Sequence, residues 1–186
     1  MRKSYAHAIA WGLFLCWCVA FLFESLWRHP LVAIGTVLGT VAALVGGILT
    51  YQWWRTLRAV ARFRNTWGSR GKDLLLVYSN SPHWQRYVEQ SWLPRWGHRA
   101  VVLNWSDRRQ WARRSPEVAI FNVFASAQEY NPLAIVVPLS GPVHVVRFWL
   151  AFRDYKHGKD GALLKAEAEL DAHLPRRFER SLEASR

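Results

Sequence analysis

The chain has 186 residues, with 25 Lys and Arg against 13 Asp and Glu, and a formal net charge of +12. Residues 1–72 hold nine basic residues and one acidic residue, so the basic excess is concentrated in the apolar first part of the chain. This distribution favours contact with anionic lipid headgroups over a nucleic-acid partner. Both cysteines, Cys16 and Cys18, precede residue 72. Residues 73–186 therefore have no disulfide, no thiolate nucleophile and no cysteine metal site.

Two uncharged apolar runs, residues 8–23 and 31–51, are separated by a short polar turn. A helix of about 20 apolar residues crosses the ~30 Å hydrocarbon core of a bilayer. The second run has this length by itself, and the first has it with a few flanking residues. We therefore predict a transmembrane helical hairpin over residues 1–52. A cleaved signal peptide is the alternative for the first run, but no small-x-small cleavage site follows it.

The positions of Lys and Arg near the helix ends predict the orientation of this hairpin. Arg2 and Lys3 precede the first run, Arg28 is the one basic residue of the turn, and six Lys or Arg follow between residues 55 and 72. Because basic residues are enriched on the cytoplasmic side of membrane helices, both termini should face the cytoplasm. The sequence thus predicts an integral protein of the cell or inner membrane.

Small residues recur every four positions in both apolar runs, which is typical of membrane helices that pack closely. The rows are Gly12, Cys16 and Ala20 in the first run and Gly35, Gly39, Ala43 and Gly47 in the second. We predict that these rows face each other within the hairpin. The alternative is that they mediate dimerisation between two chains, since Gly-x-x-x-Gly is a common pattern.

A basic amphipathic helix and a linker are predicted over residues 53–71. Its apolar residues follow at helical spacing and are Trp53, Leu57, Val60, Phe63 and Trp67. Its basic residues are Arg55, Arg58, Arg62 and Arg64. Helices of this composition lie in the headgroup layer, so we predict that these arginines contact anionic lipid. The alternative is a helix that packs on the domain that follows.

An α/β domain is predicted over residues 72–175, with a charged tail over residues 176–186. The predicted strands cover residues 74–78, 100–103, 133–137 and 143–149, and the predicted helices cover residues 81–96, 106–124 and 162–174. A helical crossover makes the first two strands parallel. The last two strands are joined by a short turn and must be antiparallel.

This order of strands and helices resembles the thioredoxin-like fold, and the resemblance covers residues 73–174. Pro94 stands where the family often bends its first helix, and Gly141 stands in the final hairpin turn. Pro132 precedes the third strand, where the family keeps a cis-proline beside the active site. The competing prediction is a flavodoxin-like or Rossmann-like parallel sheet, in which residues 117–124 would form a strand.

The resemblance also implies what the domain does not do. Redox members of the thioredoxin-like family use a thiolate at the start of the first helix. Residues 79–83 occupy that place and contain no sulfur. The resemblance therefore implies a domain that does not exchange disulfides and that binds a peptide or small molecule near Pro132.

Candidate ligand-binding residues follow the first two strands. They are Ser79, Asn80, Ser81 and His83 after the first strand and Asn104 and Asp107 after the second. The carboxyl ends of parallel strands meet at one edge of a sheet, where open α/β domains bind ligands. Free N–H groups at the helix start could hold an anion there, although Ser79, Ser81, Ser106 and Asp107 also fit as helix caps. The histidines show no metal-ligand spacing, and no motif points to a cofactor or to a catalytic set.

These features predict a membrane-anchored, non-redox binding or scaffold domain at the cytoplasmic membrane surface. A protein partner or a homo-oligomer is expected. One alternative is an enzyme that acts on a membrane-associated or anionic substrate at the strand carboxyl edge. Another is a structural subunit of a membrane complex that uses the small-residue rows.

Overall fold

The computed structural model describes residues 14, 16–21, 23, 24, 30–125 and 131–175. The chain forms two compact units, residues 1–53 and residues 54–186. The first unit is helical where it is described, and the second unit contains the sheet. A long apolar helix followed by an α/β domain is therefore confirmed.

Helix α1 spans Pro30–Trp67, 38 residues in length. In the described part of the chain it is the one helix that is long and apolar enough to cross a membrane, and none of its apolar window is buried in the protein. Thr36, Thr40 and Thr50 donate their hydroxyl hydrogens to the carbonyl oxygens four residues earlier, each at 2.8 Å. These bonds satisfy the hydroxyl donors within the helix, as a lipid environment requires.

The predicted hairpin rests on the first apolar run, half of which lies outside the described residues. Residues 14, 16–21, 23 and 24 are helical. A single span would place the two sides of the chain on opposite faces of the membrane. The prediction that both termini are cytoplasmic therefore depends on a second crossing by residues 8–23.

The small-residue rows do not pack against each other in the described part of the chain. A Cβ atom added at Gly35, Gly39 or Gly47 would meet no described atom within 4 Å. Cys16, Ala20 and Ala43 are exposed, and Gly12 lies outside the described residues. A cavity of about 340 Å³ is lined by other residues of the two runs, namely Trp17, Cys18, Phe21, Thr36, Val37, Thr40 and Val41. The predicted contact between the rows is therefore not seen among the described residues, and it stays a prediction.

The sheet of the second unit has the strand order β2-β1-β3-β4. The strands are β1 (Leu74–Tyr78), β2 (Ala100–Asn104), β3 (Leu133–Val136) and β4 (His144–Arg147). β1 is parallel to β2 and antiparallel to β3, and β3 is antiparallel to β4. The flavodoxin-like alternative is wrong, because the sheet is mixed and residues 117–124 are helical.

The remaining helices connect and cover these strands. They are α2 (Gln85–Tyr87), a π-helical turn (Val88–Trp92), α3 (Leu93–Trp96), α4 (Pro116–Phe124), α5 (Trp149–Tyr155) and α6 (Gly161–His173), with 3₁₀ turns at Gly68–Arg70, Gly97–Arg99 and Trp105–Gln110. Pro94 has no N–H for an intrahelical bond, and the wide π turn directly before it accommodates that loss. The Ser115 hydroxyl accepts a hydrogen bond from the Val118 N–H and caps α4.

The two faces of the sheet carry separate hydrophobic clusters, because alternate residues of β1 point to opposite sides. Leu74 and Leu76 pack with Trp92, Trp96, Phe148, Phe152, Leu163 and Leu170 on one face. Leu75 and Val77 pack with Ala59, Phe63, Ile120, Leu133 and Ile135 on the other. The C-terminal part of α1 is therefore a packing layer of the α/β domain.

This packing corrects the prediction that the apolar face of residues 53–67 lies in the headgroup layer. Phe63 is fully buried and Ala59 is 4% exposed, so the central part of the face is covered by protein. Arg64 donates from Nε to the Pro138 carbonyl and from Nη2 to the Gly141 carbonyl, both at 2.7 Å. Arg64 thus holds the loop after β3 through two hydrogen bonds of its guanidinium group.

A buried carboxylate ties the helices of the first cluster together. Glu167 is 6% exposed and accepts hydrogen bonds from the Tyr87 hydroxyl at 2.9 Å and the Trp92 Nε1–H at 2.7 Å. Arg95 Nη1 lies 3.5 Å from its second oxygen. Burial and the bond to Glu167 raise the pKa of Tyr87 to about 12. The phenol therefore stays protonated and keeps donating to Glu167 throughout the physiological pH range.

Candidate functional site

Three chain segments meet where β1 and β2 end and β3 begins. Tyr78 pairs with Asn104 at the ends of the parallel strands, and Val77 pairs with Leu133 at the start of the antiparallel strand β3. The residues after β1, those after β2 and those before β3 therefore share one edge of the sheet. We call it the carboxyl edge, formed by Ser79, Asn80, Asn104, Ser106, Asn131 and Pro132.

Asn80, Asn104 and Ser106 form a hydrogen-bonded network at the carboxyl edge. Asn104 Nδ2 donates to Asn80 Oδ1 at 2.7 Å, and the Asn80 N–H donates to Ser106 Oγ at 3.0 Å. The Ser106 N–H donates to Asn104 Oδ1 at 2.9 Å. The strand-end argument thus correctly brought Asn80 and Asn104 together. The network fixes the two loops to each other and keeps Asn80 and Ser106 exposed to solvent.

The predicted anion site in the turn at Ser81 and His83 has its backbone donors in use. The His83 N–H donates to Ser81 Oγ at 3.4 Å. The N–H groups of Trp84 and Gln85 donate to the Ser81 carbonyl at 3.2 and 2.9 Å. Ser81 therefore organises the turn before α2, whose N-cap is Trp84 without a side-chain cap, and His83 is exposed.

Asn131 and Pro132 complete the carboxyl edge from the side of β3. Pro132 is buried, and its peptide bond with Asn131 is cis. Asn131 Oδ1 is a buried atom with no hydrogen-bond partner among the described residues. Buried polar atoms in folded proteins are nearly always paired, so this oxygen is an exception among the described residues. Sequence reasoning missed Asn131, although its position directly before Pro132 pointed to the same edge.

Comparison with protein-family models, with curated proteins and with solved structures finds no match for this chain.

Indole rings border the network on two sides. Trp84 Nε1 donates to Ser79 Oγ at 3.3 Å, and Trp111 Nε1 donates to the Asn104 carbonyl at 3.0 Å. Trp105 packs against Trp111 with ring centroids 5.7 Å apart. The carboxyl edge therefore combines exposed amide and hydroxyl groups with half-buried aromatic walls, a composition common in sites that bind organic ligands or peptides.

Ionisable side chains contribute little to this network. Asp107 is exposed, and in the described part of the chain the network bonds run between amide and hydroxyl groups only. The described residues contain no group of three or more His, Cys, Asp or Glu that could hold a metal ion. Burial, with a smaller effect of Glu89, raises the pKa of Tyr78 at the end of β1, so its phenol stays neutral. The described network at this edge therefore consists of hydrogen bonds between neutral amide and hydroxyl groups.

Proposed function

We propose that the chain is a membrane-anchored protein whose cytoplasmic α/β domain is a non-redox binding domain of the thioredoxin-like type. The observation that carries this proposal is the carboxyl edge, where a network of amides and a hydroxyl stands in the place of a thiol. The ligand we propose is an extended polypeptide segment of a partner protein.

The strand order supports the thioredoxin-like part of the proposal. A parallel pair β1 and β2, with β3 and β4 added antiparallel on the other side of β1, agrees with the order that the resemblance implies. The cis bond before Pro132 lies at the matching place in the sequence. Residues 73–186 contain no cysteine, so thiol–disulfide exchange by this domain is not part of the proposal.

The donor and acceptor groups of the edge support a peptide ligand. Amide side chains both donate and accept, which suits the N–H and C=O groups of an extended backbone. The exposed Asn80 side chain and the half-buried Asn104 side chain are the amides concerned. An enzyme would need a base within reach of a nucleophile, and neither the His83 ring nor the Asp107 carboxylate takes part in the network. These observations favour binding over catalysis.

The anchor places this binding domain at the membrane surface. The run over residues 31–51 is uncharged and ends just before six basic residues between 55 and 72, which favours a cytoplasmic domain. The partner that we propose is therefore a protein that reaches the cytoplasmic side of the same membrane.

Site-specific photo-crosslinking in cells tests the proposed peptide site. With p-benzoylphenylalanine in place of the exposed His83, we expect a discrete adduct to a partner protein. Asn104→Leu should lower its yield about tenfold or more, because the change removes two hydrogen bonds of the network. The same photoreactive residue in place of Lys159, on an exposed loop, and the variant Gln90→Leu are the matched controls. Absence of an adduct at residue 83, or equal adducts at residue 159, would contradict the proposal.

A further inference from the structure

A groove of about 620 Å³ lies in the second unit between the C-terminal part of α1 and the segment that contains α4. Its polar lining is Arg55, Arg58, Arg62 and Asn65 from α1 with Arg113 and Asn122 from the facing segment. None of the described residues that line it carries a carboxylate. Four guanidinium groups and two amides on one concave surface provide the hydrogen-bond donors that suit an anion with several oxygen atoms.

Contacts within the protein hold part of this lining in place. The Arg58 guanidinium stacks 4.0 Å from the centroid of the Trp54 ring. Arg62 Nη2 donates to the Arg114 carbonyl at 2.7 Å and so ties the loop before α4 to the helix. That bond places Arg113, the residue directly before Arg114, on the segment that faces the arginines of α1. Two of the arginines that line the groove are therefore held by contacts within the protein.

The position of the groove along α1 indicates which anion it meets. The uncharged run ends at Tyr51, and α1 continues without a break to Trp67. At 1.5 Å per residue, Arg55 lies about 6 Å beyond the run along the helix axis and Arg58 about 10 Å beyond it. The polar layer on each side of a ~30 Å hydrocarbon core is about 5–8 Å thick. By this distance along the helix Arg55 falls within the polar layer, and the long side chain of Arg58 can reach back to it.

We propose that this groove binds the phosphate-bearing headgroup of one anionic phospholipid. The inference rests on the proposed membrane anchoring and adds a defined lipid site to it. The sequence predicted lipid contacts for four arginines, and the groove contains Arg55, Arg58 and Arg62 of these. It does not contain Arg64, and it adds Arg113. The guanidinium groups would hold the phosphate diester, and Asn65 and Asn122 would bind hydroxyl groups of the headgroup.

Binding of short-chain lipids to the full chain in dodecyl maltoside tests the proposal. The probe is dioctanoyl phosphatidylglycerol, with dioctanoyl phosphatidylcholine and inorganic phosphate as comparisons. We expect phosphatidylglycerol to bind at least tenfold more tightly than phosphatidylcholine, with little competition from millimolar phosphate. Arg58→Gln combined with Arg113→Gln should weaken binding about thirtyfold, since each basic residue near anionic lipid contributes about 1 kcal/mol. Arg62 is left unchanged because it holds the loop.

A matched double variant distinguishes the loss of a specific lipid site from the loss of net positive charge. Arg86→Gln combined with Arg153→Gln removes the same two charges from exposed positions elsewhere in the domain. An equal loss of binding in both double variants, or equal affinity for inorganic phosphate and for lipid, would overturn the proposal. Asn122→Leu removes polar contacts without changing charge and should weaken binding severalfold. Carbonate extraction of the membranes tests the proposed membrane anchoring separately. A chain that is not anchored is thereby distinguished from an anchored chain whose groove does not bind lipid.

Discussion

Replacing Arg99 with methionine is expected to lower the free energy of unfolding by about 3–5 kcal/mol. Arg99 is 5% exposed and Asp73 is 2% exposed. Their ion pair is bidentate, with Nε–Oδ1 at 2.9 Å and Nη2–Oδ2 at 2.5 Å. The change would leave the Asp73 carboxylate buried without its partner, and the cost of that desolvation accounts for the expected loss.

The location of this pair explains why the loss should affect the whole domain. Asp73 directly precedes β1 and Arg99 directly precedes β2, so the pair joins the starts of two parallel strands. The Asp73 N–H donates to the Arg99 carbonyl at 3.2 Å, and the Val137 N–H donates to the Asp73 carbonyl at 2.7 Å. The backbone around the pair therefore connects three strands of the sheet.

Denaturant unfolding of the full chain in detergent, followed by tryptophan fluorescence, measures the effect of Arg99→Met. Asp73→Leu combined with Arg99→Met should recover much of the loss, because an apolar pair leaves no buried charge. Arg153→Met removes an exposed ion pair with Asp154 and serves as the control, with an expected change below about 1 kcal/mol. A cost for Arg99→Met no larger than that of the control would contradict a buried structural pair.

Replacing Phe63 with alanine is expected to cost about 3–5 kcal/mol of domain stability. Phe63 is fully buried, and its cluster includes Leu75 and Val77 of β1 and Ile135 of β3. Removing the ring would leave a cavity between α1 and the sheet. The matched control is Leu57→Ala on the same helix, where the side chain is 49% exposed, and its expected cost is below about 1 kcal/mol.

These two variants also distinguish the observed packing from a helix that rests on lipid. If the apolar face of residues 53–67 lay in the headgroup layer, Phe63→Ala and Leu57→Ala would change stability equally little. Unfolding of both variants under the conditions used for Arg99→Met provides the comparison. Equal and small costs would show that α1 does not cover the sheet.

The strands could be predicted from the sequence because their apolar runs are short and bounded by clear turn residues. Leu74–Tyr78 and Leu133–Val136 are fully buried, as such runs imply. Helix α5 was missed, because the alternating pattern of residues 143–149 continues into it and was assigned to a strand. Phe148 and Phe152, four residues apart and both buried, were the signal for a helix.

The lipid and protein alternatives for residues 53–67 could not be separated by periodicity, since an apolar helical stripe has the same spacing against either surface. The burial of the central strands distinguishes the two alternatives. A strand buried on both faces needs a helical layer on each side, and α4 is only nine residues long. A second helix was therefore required on that face, and α1 provides it.

The part of the candidate site that follows the two parallel strands could be predicted from the sequence. Asn80 and Asn104 follow adjacent parallel strands, and their side chains are hydrogen-bonded. The N–H groups near Ser81 that were expected to bind an anion form hydrogen bonds within the turn. The sequence alone does not show that these donors are used locally. Asn131 reaches the edge through an antiparallel pairing that joins residues more than 50 positions apart in the chain. Such long-range pairing is not encoded in any local pattern.

Cysteine labelling in cells tests most directly the claim that a cytoplasmic binding domain is held at the membrane by α1. The full chain would carry Cys16→Ala, Cys18→Ala and Lys159→Cys, which places one thiol on an exposed loop of the domain. We expect the chain in the membrane fraction, with a membrane-impermeant maleimide reacting only after the cells are permeabilised. Rapid labelling in intact cells, or recovery of the chain in the soluble fraction, would contradict the account.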